Sequence, residues 1–484
     1  MRKKIVVTLL ALAMAAGSVP ADCFISEAAE PSVMQELYVS PNGHPDASGT
    51  KADPLDGMES ARKKVQTMND NMSGDIIVYF EGGEYFVKEK SAFSAKDSGT
   101  NGHKVVYKAV PGETPIFTSG VEISGWKDAG DAQRTGLMVA DAKDITDTRQ
   151  VYVDGEMAVR ARGNVEGNIT RYGDKKVYTT YNGDHDAYSG YKVDNLNILD
   201  WKNPETLEFV YDISWAHRIV PVDSVEKMSD SEIFIRMEED SFRTSQIAGG
   251  VQANLPSYIE NAYELLDEPG EWYFDEEEKK IYYMPKKGQN MSETEVIVPT
   301  TEQFFTVEGE VNDKVHDISF EGLNFEYNTW LYPSTHGWPE QQANFAHDPK
   351  ETYNMHAYSM IPQASIEVKM AERISITGCN FQNLGSAAIN ILQGTVENVV
   401  QQCVFKDISA GGILVGGVNI DDAHPYTGEG MTIENHTHDD RLIAKDNTIT
   451  NNYFNGIGTE YKGSIGITVG YTDHTVITHN TVRD

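Results

Sequence analysis

Between Asp421 and Glu460 the chain gathers side chains able to move protons. Asp421, Asp422 and His424 come first, then Glu429, Glu434, Asp439 and Asp440, and Glu460 stands beside Tyr461 ahead of Lys462-Gly463-Ser464. Two carboxyl groups that reach one point can serve as proton donor and as base or nucleophile. With 74 Asp and Glu in the chain, an acid picked at random is a solvated surface charge. Asp422 and Glu460 are set apart by Gly-rich neighbours and by their place in a repeat, and they form the candidate catalytic pair. Asp421 and Glu367 are held in reserve.

The repeat that must position them begins near Val315. Ile318-x-Phe320-x-x-Leu323-x-Phe325 recurs as Ile374-x-Ile376-x-x-Cys379-x-Phe381 and as Val400-x-x-Cys403-x-Phe405, and the same pattern is read in Leu442-x-Ala444-x-x-Asn447-x-Ile449 and Ile477-x-x-Asn480-x-Val482. A second short strand follows four of these units, at Ile366-Glu367-Val368, Ile389-Asn390-Ile391, Ile413-Leu414-Val415 and Ile467-Thr468-Val469. Strands this short, at a fixed short period, bury a core only by stacking on one another. The expected fold is all-β, a right-handed parallel β-helix in which Leu323, Cys379, Cys403, Asn447 and Asn480 share one column. Cys379 and Cys403 then become neighbours as buried small residues.

Alternation on the second strand sends Ile389 and Ile391 inward and Glu367 and Asn390 outward. Beside them Ser365, Ala388, Gly412 and Gly466 form an expected floor of small residues. Three excursions interrupt the period, at 326–363, 416–440 and 450–463, and all join the ends of this strand. Loops on a rigid scaffold carry binding and catalysis, so the cleft is placed there. The expected ligand contacts are Asp421, His424, Tyr461, Trp330, Trp338, His336, Glu367 and Asn390. Trp330 and Trp338 read either as stacking faces or as the loop's own small core. Asp407 falls at a tight corner, where an Asp holds turn backbone. His436-x-His438 in an acidic loop does not make a metal site, and neither metal nor cofactor is expected.

The net charge is −34, from 40 Lys and Arg against 74 Asp and Glu. That excludes nucleic acid as partner, because its binding draws on cations that neutralise phosphates. Met1-Arg2-Lys3-Lys4 and the apolar run Ile5 to Ala16 have the form of a secretory signal, and no other stretch is long and apolar enough to span a membrane. The reading is a signal over 1–29, a cap with the first coils over 30–126, an inserted β-sandwich-like domain over 127–300 and coils over 301–484. The protein is expected outside the cell or on its surface, and its oligomeric state is not legible. In the cap, Asp56-Gly57-Met58-Glu59 is read as opening a helix. In the insert, Val151 to Val159 makes a hairpin about Asp154-Gly155, and Trp272-Tyr273-Phe274 pairs with Ile281-Tyr282-Tyr283.

Tyr38-Val39-Ser40-Pro41-Asn42-Gly43, Gly82-Gly83-Glu84-Tyr85-Phe86, Val151-Tyr152-Val153-Asp154-Gly155-Glu156, Asp407-Ile408-Ser409-Ala410-Gly411-Gly412-Ile413 and Glu460-Tyr461-Lys462-Gly463-Ser464-Ile465-Gly466-Ile467 resemble secreted pectin-lyase-like β-helix proteins of glycoside hydrolase family 141. The resemblance implies a glycosidase acting on plant cell-wall or related polysaccharide or oligosaccharide, of fucosidase or xylanase type. It associates the site with the segments Asp421 to Pro425 and Glu460 to Ser464, and it implies a further coil after Asp484. Two alternatives remain on the residues themselves. A polysaccharide lyase or uronate epimerase would use Lys462 or Arg441 as base, and a non-catalytic adhesin would show no convergent acids.

Overall fold

The computed structural model describes residues 32–180, 183–247, 253–347, 359–417 and 439–483. Three parallel sheets run the length of the coils, with eight, seven and six strands. The first holds Val33–Val39, Asp75–Phe80, Val105–Ala109, Val315–Glu321, Ala371–Thr377, Val399–Gln401, Thr448–Thr450 and Val476–Thr478. The second includes Asn324–Asn328, Asn380–Leu384, Val404–Ile408 and Tyr453–Ile457, and the third Ala364–Lys369, Ala387–Ile391, Ile413–Val415 and Ile467–Val469. The chain visits the three in turn, so each coil adds one strand to each sheet.

The corners explain why so short a sequence pattern makes a coil. Asp317, Arg373, Glu397 and Asp446 occupy equivalent corner positions, and Gly322, Gly378, Gln402 and Asn451 another, and all have positive φ. A third set, Tyr327, Asn383, Asp407 and Gly456, does the same within the second sheet. A left-handed residue turns an extended chain sharply while leaving its neighbours free to pair. Asp407 is such a corner, as its sequence setting indicates.

Inside, aromatic rings stack coil on coil. Phe325 and Phe381 are 5.2 Å apart, Phe381 and Phe405 4.9 Å, and Phe405 and Phe454 4.5 Å, all nearly parallel. Each such pair adds about 0.5–1.5 kcal/mol to what burial supplies. Cys379 and Cys403 are free, buried thiols within this core.

One copy of the repeat falls elsewhere than the pattern suggests. Val400 pairs with Ile449, so Asn452, not Asn447, continues the column of Cys403 and runs on to Asn480. Asn447 stacks instead under Asn398, five residues earlier in the coil, accepting from its Nδ2 at 2.9 Å. Both corners carry an asparagine ladder, and a single Asn cannot reveal which one it serves.

Between Gly120–Glu122 and Val296–Pro299, which pair with each other antiparallel, the chain leaves the coils. It builds sheets of four, five and seven strands, antiparallel except where Val159–Arg160 pairs parallel with Glu271–Asp275. The first two close over a sandwich-like core that includes Val151, Val153, Trp272, Phe274 and Ile281, and the third has its own core around Phe209, Val220, Ile235 and Phe242. Asp154 and Gly155 take left-handed conformations between Tyr152–Val153 and Glu156–Met157, as an Asp-Gly hairpin requires. Trp272 faces Tyr283 and Phe274 faces Ile281 as expected. The cap helix is Met58–Val65 and buries Met58, Ala61 and Val65, with Gly57 rather than Asp56 at its N-cap.

Candidate active site

Glu460 sits in the turn that follows Tyr453–Ile457. Gly458 N donates to Ile408 O, and the amides of Glu460 and Tyr461 both donate to Ser409 O, at 3.3 and 2.9 Å, which pins the turn onto the preceding coil. The carboxylate leans toward the insert. Its Oε1 accepts from Arg149 Nε and its Oε2 from Gln150 Nε2, each at 2.7 Å. With both oxygens engaged by adjacent residues, the group has one orientation.

Arg149 is the hub of a buried charge network. It also donates to Glu208, to Glu260 at 3.1 Å and to Ser334 Oγ at 2.8 Å, and Arg160 contacts Glu208 at 2.8 Å and Glu260 at 3.5 Å. Burial opposes the Arg149 charge, but Glu208 foremost, with Tyr461, Glu460 and Glu260, holds the guanidinium protonated. Burial likewise opposes the Glu208 charge, and Arg149 and Arg160 overcome it and lower its pKa to about 2. The side chains of Arg149 and Glu208 are 0% and 1% exposed, whereas Glu460 is 15% exposed. Of these carboxylates, Glu460 is the one that opens most to solvent.

It opens into a cleft of about 70 Å³ between insert and coils, lined also by Arg162, His217, Tyr258, Glu260, Thr459 and Lys462. Asp212 holds the rim together, accepting from Lys462 Nζ at 2.6 Å and bonded to His217 Nδ1 at 2.7 Å. The bond from His217, then Lys462, keeps the Asp212 carboxyl well below the ordinary range against partial burial. Behind the rim, Glu340 is wholly buried and accepts from the amides of His217 and Asn344, at 2.6 and 2.7 Å. Burial pushes its pKa up, and these amide donors oppose that. Gly463 lies so close that a Cβ there would stand 1.7 Å from Glu340 Oε1, so this turn requires glycine for space.

Several expected contacts are corrected. Trp330, Trp338 and Tyr461 are 2%, 1% and 0% exposed and pack on one another, with Trp330 4.8 Å from Trp338 and 4.9 Å from Tyr461. No ring face is left for a sugar, because these three glue the first excursion and the Glu460 turn to Val210 and Ile219 of the insert. Asn390 is likewise buried and donates to Pro362 O at 3.0 Å, so the 359–363 segment covers it. The floor of small residues is internal: a Cβ on Gly412 would meet the Phe454 ring at 2.9 Å, and Ala388 belongs to the core. That column is small to make room for the stacked rings. His336 is exposed, bonded to Thr335 Oγ1 and stacked on Tyr332, and Glu367 is half-buried and accepts from Ala364 N at 3.3 Å. Asp421, Asp422 and His424 lie outside the described residues.

Arg149, Gln150, Glu208, Glu260, Asp212 and His217 escaped the sequence reading, since apart from the Asp212–His217 pair, five residues apart, their partners are tens to hundreds of residues away. The one available cue was Arg149-Gln150 directly before the apolar hairpin at Val151. Among the described residues no cluster of three or more His, Cys, Asp or Glu is arranged to hold a metal ion, and no helix is long and apolar enough to cross a membrane.

A family model described as the GH141 insertion domain matches residues 136–286. No curated protein matches the chain. A solved structure titled "Glycoside hydrolase" is similar at 27% identity and a TM-score of 0.73, covering 93% of this chain and 78% of that one. The complex of XylC with xylose (11% identity, TM-score 0.44, 92% and 58% covered) and a rhamnogalacturonan lyase (9%, 0.31, 93% and 67%) are also similar, at levels that carry no argument. Together the insertion domain and the shared architecture place the chain with the glycoside hydrolases, as a parallel β-helix protein that carries a GH141 insertion domain.

Proposed function

We propose that this glycoside hydrolase is exported and acts on plant cell-wall or related polysaccharide, with fucosidase- or xylanase-type specificity, through Glu460 and Asp422. The observation that carries the site is that Glu460 lines the cleft between insert and coils and is the most exposed of the acids bound to Arg149, at 15% against 1% for Glu208 and 6% for Glu260. Arg149 and Gln150 fix its orientation, so it can meet an anomeric carbon or a water without rearranging. Asp422 is the partner, and Asp421 and His424 contact the sugar. A carboxyl separation of about 5–5.5 Å gives retention through a glycosyl-enzyme, and roughly 6.5–9.5 Å leaves room for a water and gives inversion. The ion pair of Asp212 with Lys462 and the overall negative charge favour a neutral glycan over a uronate. Export rests on the basic, then apolar, start of the chain.

The test is hydrolysis of aryl fucosides, aryl xylosides and intact cell-wall polymers by the full chain, Glu460→Gln and Asp422→Asn, with thermal unfolding in parallel. Turnover near that of the unaltered chain in a folded variant removes that residue from the mechanism.

A further inference from the structure

With Trp330 and Trp338 buried, neither can stack on a sugar, and the exposed indole nearest to the cleft lining in sequence is Trp215. It stands in the two-residue turn between Glu208–Ile213 and Ala216–Lys227, is 49% exposed, and has no ring packed on it among the described residues. Its hairpin has two faces. Phe209, Tyr211, Val220 and Val222 enter the core of the insert, whereas Val210 and Ile219 pack against Trp338 and Tyr461 on the coils. Side chains alternate along a strand, so His217 and Ile219 share the face turned to the coils, and Trp215 stands in the turn at the end of that strand.

Asp212 and His217 are directly paired across the hairpin, and each meets the cleft: Asp212 holds Lys462, and His217 lines the wall with Glu460. Trp215 lies one pair and a turn beyond, about 7 Å along the strand at about 3.4 Å per residue. That is on the scale of one sugar unit. A half-exposed indole in the turn next to the Asp212–His217 pair offers an apolar plane close to the mouth of the cleft. An indole in that position suits a pyranose whose ring hydrogens form a C–H face, and Lys462, Asp212 and His217 supply donors and acceptors for its hydroxyls. Resting on the reading of Glu460 as the catalytic carboxylate, we infer that Trp215 is the stacking platform of an outer subsite for a neutral pyranose chain.

Binding is measured apart from cleavage. Glu460→Gln and Glu460→Gln with Trp215→Ala, Trp215→Phe or Tyr172→Ala (an exposed aromatic on a separate strand of the insert) are run through native gels containing xylan, fucosylated xyloglucan or polygalacturonate. Trp215→Ala should weaken retention by a neutral polymer about tenfold, Trp215→Phe should restore most of it, and Tyr172→Ala should change nothing. In the active chain, Trp215→Ala should raise KM on the polymer while kcat on a single-sugar aryl glycoside holds. Unchanged retention in Trp215→Ala, no retention of Glu460→Gln by any polymer, or retention by polygalacturonate alone overturns the platform. Trp215-dependent retention with full turnover in Glu460→Gln overturns instead the catalytic reading of Glu460 and leaves the platform standing.

Discussion

The coils and the seam where the insert meets them bury polar groups in opposite ways. In the coils from Ala364 on, the buried polar groups are neutral and repeated: Asn398 over Asn447, and Asn452 over Asn480, each amide bonding the next rung. At the seam they are charged and unique, with Arg149 joined to Glu208, Glu260 and Glu460 from three distant segments. A repeat solves polar burial once and copies it, whereas the seam holds charges that no copy supplies. The difference teaches that charged networks collect where the period is interrupted.

Glu460→Gln breaks the comparison most sharply. It should reduce turnover about a thousandfold or more yet lower stability by no more than about 1 kcal/mol, since Arg149 keeps two other carboxylates. Kinetics beside urea unfolding checks both halves. Next, Phe405→Ala should cost about 3–5 kcal/mol by opening a hole between two stacked rings, and Arg149→Met about as much by leaving buried Glu208 and Glu260 to share Arg160. Their unfolding midpoints should fall alike and only their pH dependence should differ. The pKa of Glu208 is lowered in the fold, so its stabilisation is complete above the unfolded value of about 4.3 and is lost as pH falls toward about 2. Denaturant titrations across that window should show the loss in the unaltered chain and in Phe405→Ala, and much less of it in Arg149→Met. The smallest effect is Asn452→Ala, about 1–3 kcal/mol, because the Cys403 amide loses its acceptor at 2.9 Å. A change below about 0.5 kcal/mol would show that the ladder is ornamental.

The coils were legible because stacking forces the same residue type into the same place: Ile366, Ile389, Ile413 and Ile467 align as their spacing indicates. The fourth repeat was misplaced because Asn447 and Asn452 serve two ladders with one residue type. The turn that carries Glu460 was legible from its flanking glycines, but the side chain that holds the carboxylate, Arg149, was not, since its partners lie 59, 111 and 311 residues away. The tryptophans were ambiguous for a physical reason, since a stacking platform and a small core call for the same side chains and differ only in what covers them.

The antiparallel pairing of Gly120–Glu122 with Val296–Pro299 has an evolutionary consequence. Paired strands lie about 4.7–4.9 Å apart, which is also the rise from one coil to the next, so the insert leaves and returns across one rung. The coil strands on either side, Val105–Ala109 and Val315–Glu321, are direct neighbours as though nothing intervened. The insert is thus a cassette. It brings Arg149, Glu260 and Trp215 as one block, and a different block at the same rung would leave the coil strands paired while presenting new side chains to the Glu460 turn.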